Sequence, residues 1–199
     1  MAVTKTGTKA FKLIKPKYIV VTLFTGKETD DTPMGDTFIL EDIVRDTTSV
    51  SQDENETTDV ERETSDTPII SLVTLGKWKL SSELADLNGS VLAALCGFTY
   101  DEKAKKAYAP SGYEQRYAKF SIAYTNPKDA TKLSAFVLPK VQLDSRLTIE
   151  SLNSNLGRIA IGGTAQLVSV KVPDGSAGST TKDISTPFWT EEEYTLPTA

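Results

Sequence analysis

The chain has 199 residues, 39% of them apolar and 25% charged, which suffices for one hydrophobic core with extended arms, leaves two full domains cramped and excludes wholesale disorder. It holds no histidine and a single cysteine, Cys96, so an intrachain disulfide, the usual zinc ligand sets and imidazole general-base chemistry are excluded. The net charge of −5 conceals a segregation that bears on association rather than on fold: Glu28 to Asp66 holds 14 acidic residues against Arg45 and Arg62, while the rest of the chain is net basic.

Met1 to Lys17 carries Lys5, Lys9, Lys12, Lys15 and Lys17 and no acid, and reads as a basic arm that Pro16 keeps from being helical. The longest apolar run, Tyr18 to Phe24, is far too short to cross a bilayer, and its β-branched Ile19, Val20, Val21 and Thr22 predict a strand. No small-residue cleavage site accompanies it, so the expectation is a cytoplasmic product without a signal peptide. A polar turn, Thr25 to Asp36, precedes a strand with a bulge or bend over Thr37 to Val44.

Arg45 to Thr67 is dominated by Thr, Ser, Asp, Glu and Asn, with only Val50 and Val60 as apolar anchors. So little apolar surface predicts a long acidic loop outside the core, mobile in the isolated subunit and ordered between neighbours. On that reading, deleting Thr48 to Thr64 spares the fold.

The chain turns apolar again at Pro68, and Lys77 to Ser81 alternates as a half-buried strand does. Asp86 or Asn88 then caps a short helix through Val91, Leu92, Ala93, Ala94 and Leu95, closed by Gly97. Tyr100 to Gln115, polar and containing Pro110 and Gly112, reads as an exposed connection. Tyr117 to Thr125 reads as an amphipathic strand, with Ala118, Phe120, Ile122 and Tyr124 on one face. A turn over Asn126 to Asp129 leads to its hairpin partner, Leu133 to Leu138. Further strands are expected at Val141 to Ile149 and Ile159 to Val172, with Pro139 at an edge or bend. Pro173 to Ala199 reads as a loose tail anchored by Phe188, Trp189 and Tyr194.

The chemical motifs are weak. Asp53, Asn55, Thr57 and Asp59 have the alternate spacing of a calcium loop, but Thr58 replaces the sharp-turn glycine and Thr64 the closing bidentate glutamate. Gly26-Lys27 lacks the earlier glycine and the following Ser or Thr of a phosphate-binding loop. Trp78 and Trp189 suggest a sugar-stacking platform, yet Trp78 in an alternating strand is better placed in a core or subunit contact. Cys96 on the apolar run of a helix fits a small buried hydrophobe better than a nucleophile. No motif supports catalysis, and no catalytic, cofactor or metal residue is assigned.

Two stretches, Asp46 to Thr57 and Asp59-Val-Glu-Arg-Glu-Thr-Ser-Asp-Thr-Pro-Ile69, resemble tail tube proteins of long-tailed bacteriophages. So do the order and type of Leu75-Gly76-Lys77-Trp78, Leu138-Pro139-Lys140-Val141 and Gly162-Gly163-Thr164-Ala165. The resemblance spans residues 18 to 172, between a basic arm at 1–17 and a tail at 173–199. It implies a mainly β fold, a β-barrel or sandwich with one short flanking helix, and hexameric rings stacked into a hollow conduit for DNA ejection. The implied setting is the virion tail, made in the host bacterial cytoplasm, with tape measure and terminator proteins as partners and DNA passing without specific binding. The inner-tube proteins of contractile secretion systems share that architecture, and a β-sandwich carbohydrate-binding module is the alternative of another class. The acidic segment would match the extended loop used between rings. Its Asp53, Glu54, Glu56, Asp59, Glu61, Glu63 and Asp66 are the candidate assembly residues, with Lys5, Lys9, Lys12, Lys15 and Lys17 of a neighbouring arm as partners. Complementary segments of this kind favour a head-to-tail contact, since like patches on two copies would repel.

Overall fold

The structure, a computed structural model, describes residues 16–25, 35–62, 65–85, 88–112, 114–126, 129–148, 157–166, 170–173, 181–184, 187–190 and 194–197. Its first strands are β1 (Pro16–Leu23), β2 (Thr37–Leu40), β3 (Ser49–Gln52), β4 (Glu56–Arg62), β5 (Ser65–Thr74) and β6 (Trp78–Leu84). Helix α1 (Gly89–Cys96) follows, then β7 (Thr99–Asp101), β8 (Lys106–Tyr108), β9 (Tyr117–Thr125) and β10 (Leu133–Leu143). The last strands are β11 (Arg146–Thr148), β12 (Arg158–Ala165), β13 (Val170–Pro173), β14 (Thr181–Ile184) and β15 (Phe188–Thr190). The fold is mainly β with one short helix, and no sheet among the described residues closes into a barrel, which leaves the sandwich-like alternative.

The chain forms two compact units, each built from separated stretches. The first comprises Met1–Ile43, Arg116–Val141 and Leu167–Ala199. Its strands hydrogen-bond in the order β2-β1-β9-β10, with β15 on β10 and a separate β13–β14 pair. β1 and β9 set Ile19 against Ile122 and Val21 against Phe120, all four fully buried. The expected strand at Tyr117 to Thr125 is present to the residue, but it is not amphipathic: Tyr117, Ser121 and Ala123 on its other face are buried too. Small Ser121 and Ala123 let that face be covered as tightly as the first. Lys140 is buried as well, its Nζ lying 5.2 Å from the Phe24 ring centroid and 5.0 Å from that of Tyr117, where the ring faces attract the ammonium.

The turn after β9 is tied by Asp129. Its Oδ1 accepts hydrogen bonds from the Thr131 hydroxyl and backbone N–H, and these hold the carboxyl below its ordinary pKa. β10 continues through Pro139, which lies beyond its stretch paired with β15. The C-terminal region is not a loose tail where it is described. β13 pairs with β14, Trp189 stands opposite Phe136, and Tyr194 N–H donates to Leu133 O at 2.7 Å.

The second unit comprises Val44–Gln115 and Gln142–Gln166. Its strands run in the order β12-β6-β3, with β11 on β12, beside two hairpins, β4–β5 and β7–β8. β6 alternates as expected: Leu80, Ser82 and Leu84 are buried, while Lys79 and Ser81 face solvent. Opposite it Ile159 pairs with Leu84 and Ile161 with Ser82. Helix α1 adds Val91, Leu92, Ala94 and Leu95 to the buried set and packs on β7, β8 and β11. Cys96 in its last turn is half-buried.

The helix ends are those expected. Asn88 Oδ1 accepts from Ser90 N–H at 3.0 Å, and Gly97 takes the left-handed conformation at φ 80°, its N–H reaching Leu92 O. Asn88→Ala should therefore lower unfolding stability by about 1 kcal/mol, and Asn88→Ser should keep most of it. Urea denaturation followed by circular dichroism measures the difference, and an Asn88→Ala variant as stable as the wild type would show that the cap contributes nothing.

Candidate assembly surface

The acidic segment is not a structureless loop. Val44 to Gln52 is stitched to β6: Val44 N–H donates to Glu83 O at 2.8 Å, Thr48 Oγ1 and Ser82 Oγ share a hydrogen bond at 2.8 Å, and Glu83 N–H donates to Thr47 Oγ1 at 3.1 Å. β3 then pairs with β6 from Ser49↔Ser81 to Gln52↔Trp78. Deleting Thr48 to Thr64 would thus remove the edge strand β3 and the whole of β4 rather than a structureless loop.

Beyond β3 the chain forms a ribbon. β4 pairs with β5 from Glu56↔Thr74 to Val60↔Ile70, and a bulge precedes Arg62↔Ser65. The segment lacks an apolar complement of its own, but the ladder partner comes from the apolar stretch after Pro68, outside Arg45 to Thr67. β-branched Thr57, Thr58 and Val60 suit the extended backbone.

Successive residues of a strand point to opposite faces, and Ser71, Leu72, Val73 and Thr74 are all exposed, as are Glu56, Thr57, Thr58 and Asp59 opposite them. Neither face of this end of the ribbon is covered. Leu72 is 56% exposed, Val73 60% and Leu75, just after the strand, 70%. Single exposed apolar residues are ordinary, but three within four positions of a two-stranded ribbon are not.

The base of the ribbon is fixed by close packing. A side chain at Gly76 would place its Cβ 1.8 Å from Asp53 O and 2.9 Å from Glu54 O, so only glycine fits. Gly76 N–H donates to Asn55 Oδ1 at 3.0 Å, Gln52 Nε2 donates to Gly76 O at 3.1 Å, and Asp53 N–H donates to Lys77 O at 2.9 Å. Asp53 also pairs with Lys79 at 2.9 Å, a half-exposed ion pair worth about 0 to 1 kcal/mol.

The sequence-predicted assembly residues therefore separate. Glu54, Glu56 and Asp59 are exposed along the ribbon, and Asp59 accepts a hydrogen bond from Ser71 Oγ across it. Asp53 belongs to the junction. The backbones of Glu61 and Asp66 lie in β4 and β5, and Glu63 lies outside the described residues. Lys5, Lys9, Lys12 and Lys15 lie outside them too. Lys17 is part of β1, its Nζ 5.1 Å from the Tyr18 ring centroid. The calcium-like spacing of Asp53, Asn55, Thr57 and Asp59 is laid out along this junction and strand. Among the described residues no group of three or more Cys, Asp or Glu is arranged to hold a metal ion. No helix among them is long and apolar enough to cross a membrane.

Leu72, Val73 and Leu75 were not singled out by sequence, because an apolar residue in a strand is expected to face a core. The available signal was the run Ile69 to Leu75, which follows no clean alternation. Searches against models of known protein families and against curated proteins find no match for this chain.

Two variants separate the junction from the ribbon surface. Gly76→Ala should lower stability by about 2 kcal/mol, because the new Cβ meets backbone that must move. Leu72→Ser with Val73→Ser should leave monomer stability within about 0.5 kcal/mol. Chemical denaturation reads both, and a loss of several kcal/mol in the second variant would show that the ribbon is packed against its own subunit.

Proposed function

We propose that this protein is a non-enzymatic structural subunit that assembles with copies of itself, and that it serves as a tail tube protein of a long-tailed bacteriophage. The observation that carries the assembly reading is the β4–β5 ribbon, exposed on both faces at its base and bearing Leu72 and Val73 on opposite sides. An isolated two-stranded hairpin is marginal in water, and its outer edges offer unpaired backbone groups to another chain. A ribbon of this kind gains apolar burial and backbone pairing only from a partner.

The phage assignment rests on the sequence resemblance, and the mainly β architecture with one short helix is compatible with it. In this reading subunits close into hexameric rings, rings stack, and DNA leaves the capsid through the channel. The tape measure and terminator proteins would be further partners, and the virion tail the location. A conduit in this reading needs a neutral to negative lumen, since a cationic wall would hold phosphates by counterion release and stall passage.

Negative-stain microscopy of concentrated purified protein tests the reading directly: rings or tubes are expected without any ligand, and a persistent monomer would contradict it. Assembled particles should also show no saturable submicromolar binding to duplex DNA in a low-salt filter assay. Tight binding there would count against a conduit while leaving self-assembly intact.

A further inference from the structure

Among the described residues four large apolar side chains are exposed, and all lie on or beside the two hairpins of the second unit: Leu72, Val73 and Leu75 with β4–β5, and Tyr108, 52% exposed, on β8. The two hairpins differ in charge. Among the described residues from Glu54 to Thr74 the ribbon carries Glu54, Glu56, Asp59, Glu61 and Asp66 against Arg62, whereas the β7–β8 hairpin carries Lys103, Lys105 and Lys106 against Asp101 and Glu102. Asp101 is exposed but engaged by its own loop, Oδ1 accepting from Lys103 N–H at 2.9 Å and Ala104 N–H at 3.0 Å, and the three lysines stand exposed. Helix α1 supports this hairpin from below, so its lysines and Tyr108 are presented on a backed platform.

From these features we infer that the β7–β8 hairpin is the receiving surface for the acidic ribbon of a second copy, Tyr108 meeting the exposed Leu72 and Val73 while Lys103, Lys105 and Lys106 face Glu54, Glu56 and Asp59. The inference rests on the self-assembly reading and adds its contact. A ribbon-on-ribbon contact would oppose like charges, whereas ribbon on β7–β8 is complementary and heterologous, the geometry that closes rings or propagates filaments. Aromatic and aliphatic anchors supply the affinity of such a contact, and the surrounding charges supply orientation and encounter rate. The ribbon is uncovered on both faces at its base and β7–β8 on the side away from α1, and one contact covers exposed apolar surface of both.

Site-specific cross-linking tests the pairing. Val73→Cys and Tyr108→Cys are made separately in a Cys96→Ser background, which removes the only native thiol, and the two proteins are mixed before assembly. A short bis-maleimide should join Val73→Cys to Tyr108→Cys far more than either to itself. Predominant Val73→Cys self-links would overturn the inference in favour of a symmetric ribbon contact.

A second measurement needs no cysteine. Lys103→Glu with Lys105→Glu and Lys106→Glu should slow assembly by about tenfold or more in light scattering, and adding Glu54→Lys, Glu56→Lys and Asp59→Lys should restore it. If the wild type assembles but neither the mixed cross-link nor the charge effect is seen, this pairing is wrong and self-assembly stands. If deleting Met1–Lys15 stops assembly while the lysine reversals do not, the basic arm is the partner instead. No assembly by the wild type at any concentration would remove both this contact and the function it rests on.

Discussion

A two-stranded ribbon pairs its inner backbone groups and leaves nearly everything else to solvent. In this protein the ladder from Glu56↔Thr74 to Asp59↔Ser71 is such a ribbon, and its base is locked by the contact of Gly76 with the Asp53 and Glu54 carbonyls. That close approach fixes where the ribbon leaves the β3–β6 sheet. Uncovered Leu72 and Val73, on opposite faces, then follow from the pleat. The exposed apolar surface is thus a consequence of a well-determined junction rather than of a slack loop.

The junction also orders the charge. Asp53 is spent on Lys79, whereas Glu54, Glu56 and Asp59 remain along the ribbon. The acidic excess read from composition is therefore presented on an extended, backbone-paired element. Such an element can orient an approaching surface, and a solvated loop cannot, because ordering the loop would cost about 1 to 2 kcal/mol per residue of backbone entropy. Preformed strands remove most of that cost and leave the apolar side chains free to contribute.

Much of the fold was legible where local chemistry decides it. Asn88 and Gly97 mark the helix because capping depends on a few adjacent atoms, and β6 and β9 announce themselves by residue type. The failures share a cause in tertiary context. β3 and β4 were read as loop because Val50 and Val60 cannot order the segment alone, yet β6 and β5 supply the ladder from outside it. β7 and β8 are three-residue strands, too short for a period to show, with Lys105 at φ 53° in the turn between them. The amphipathic reading of β9 erred because Ser121 and Ala123 are small enough to be covered. At the candidate surface the acids were visible in the sequence, and Tyr108 fell within the expected exposed connection, whereas the exposure of Leu72 and Val73 was not visible, since it belongs to the folded chain.

Hydrogen exchange of the ribbon amides, compared between dispersed subunits and assembled particles, tests the central claim most directly. The account predicts that peptides covering Glu56–Arg62 and Ser65–Thr74 gain protection on assembly, and gain more than peptides from β1 and β9, which are buried in either state. Particles whose ribbon peptides exchange as fast as those of the dispersed protein would contradict it, because an assembly that leaves the ribbon in water is not held by it.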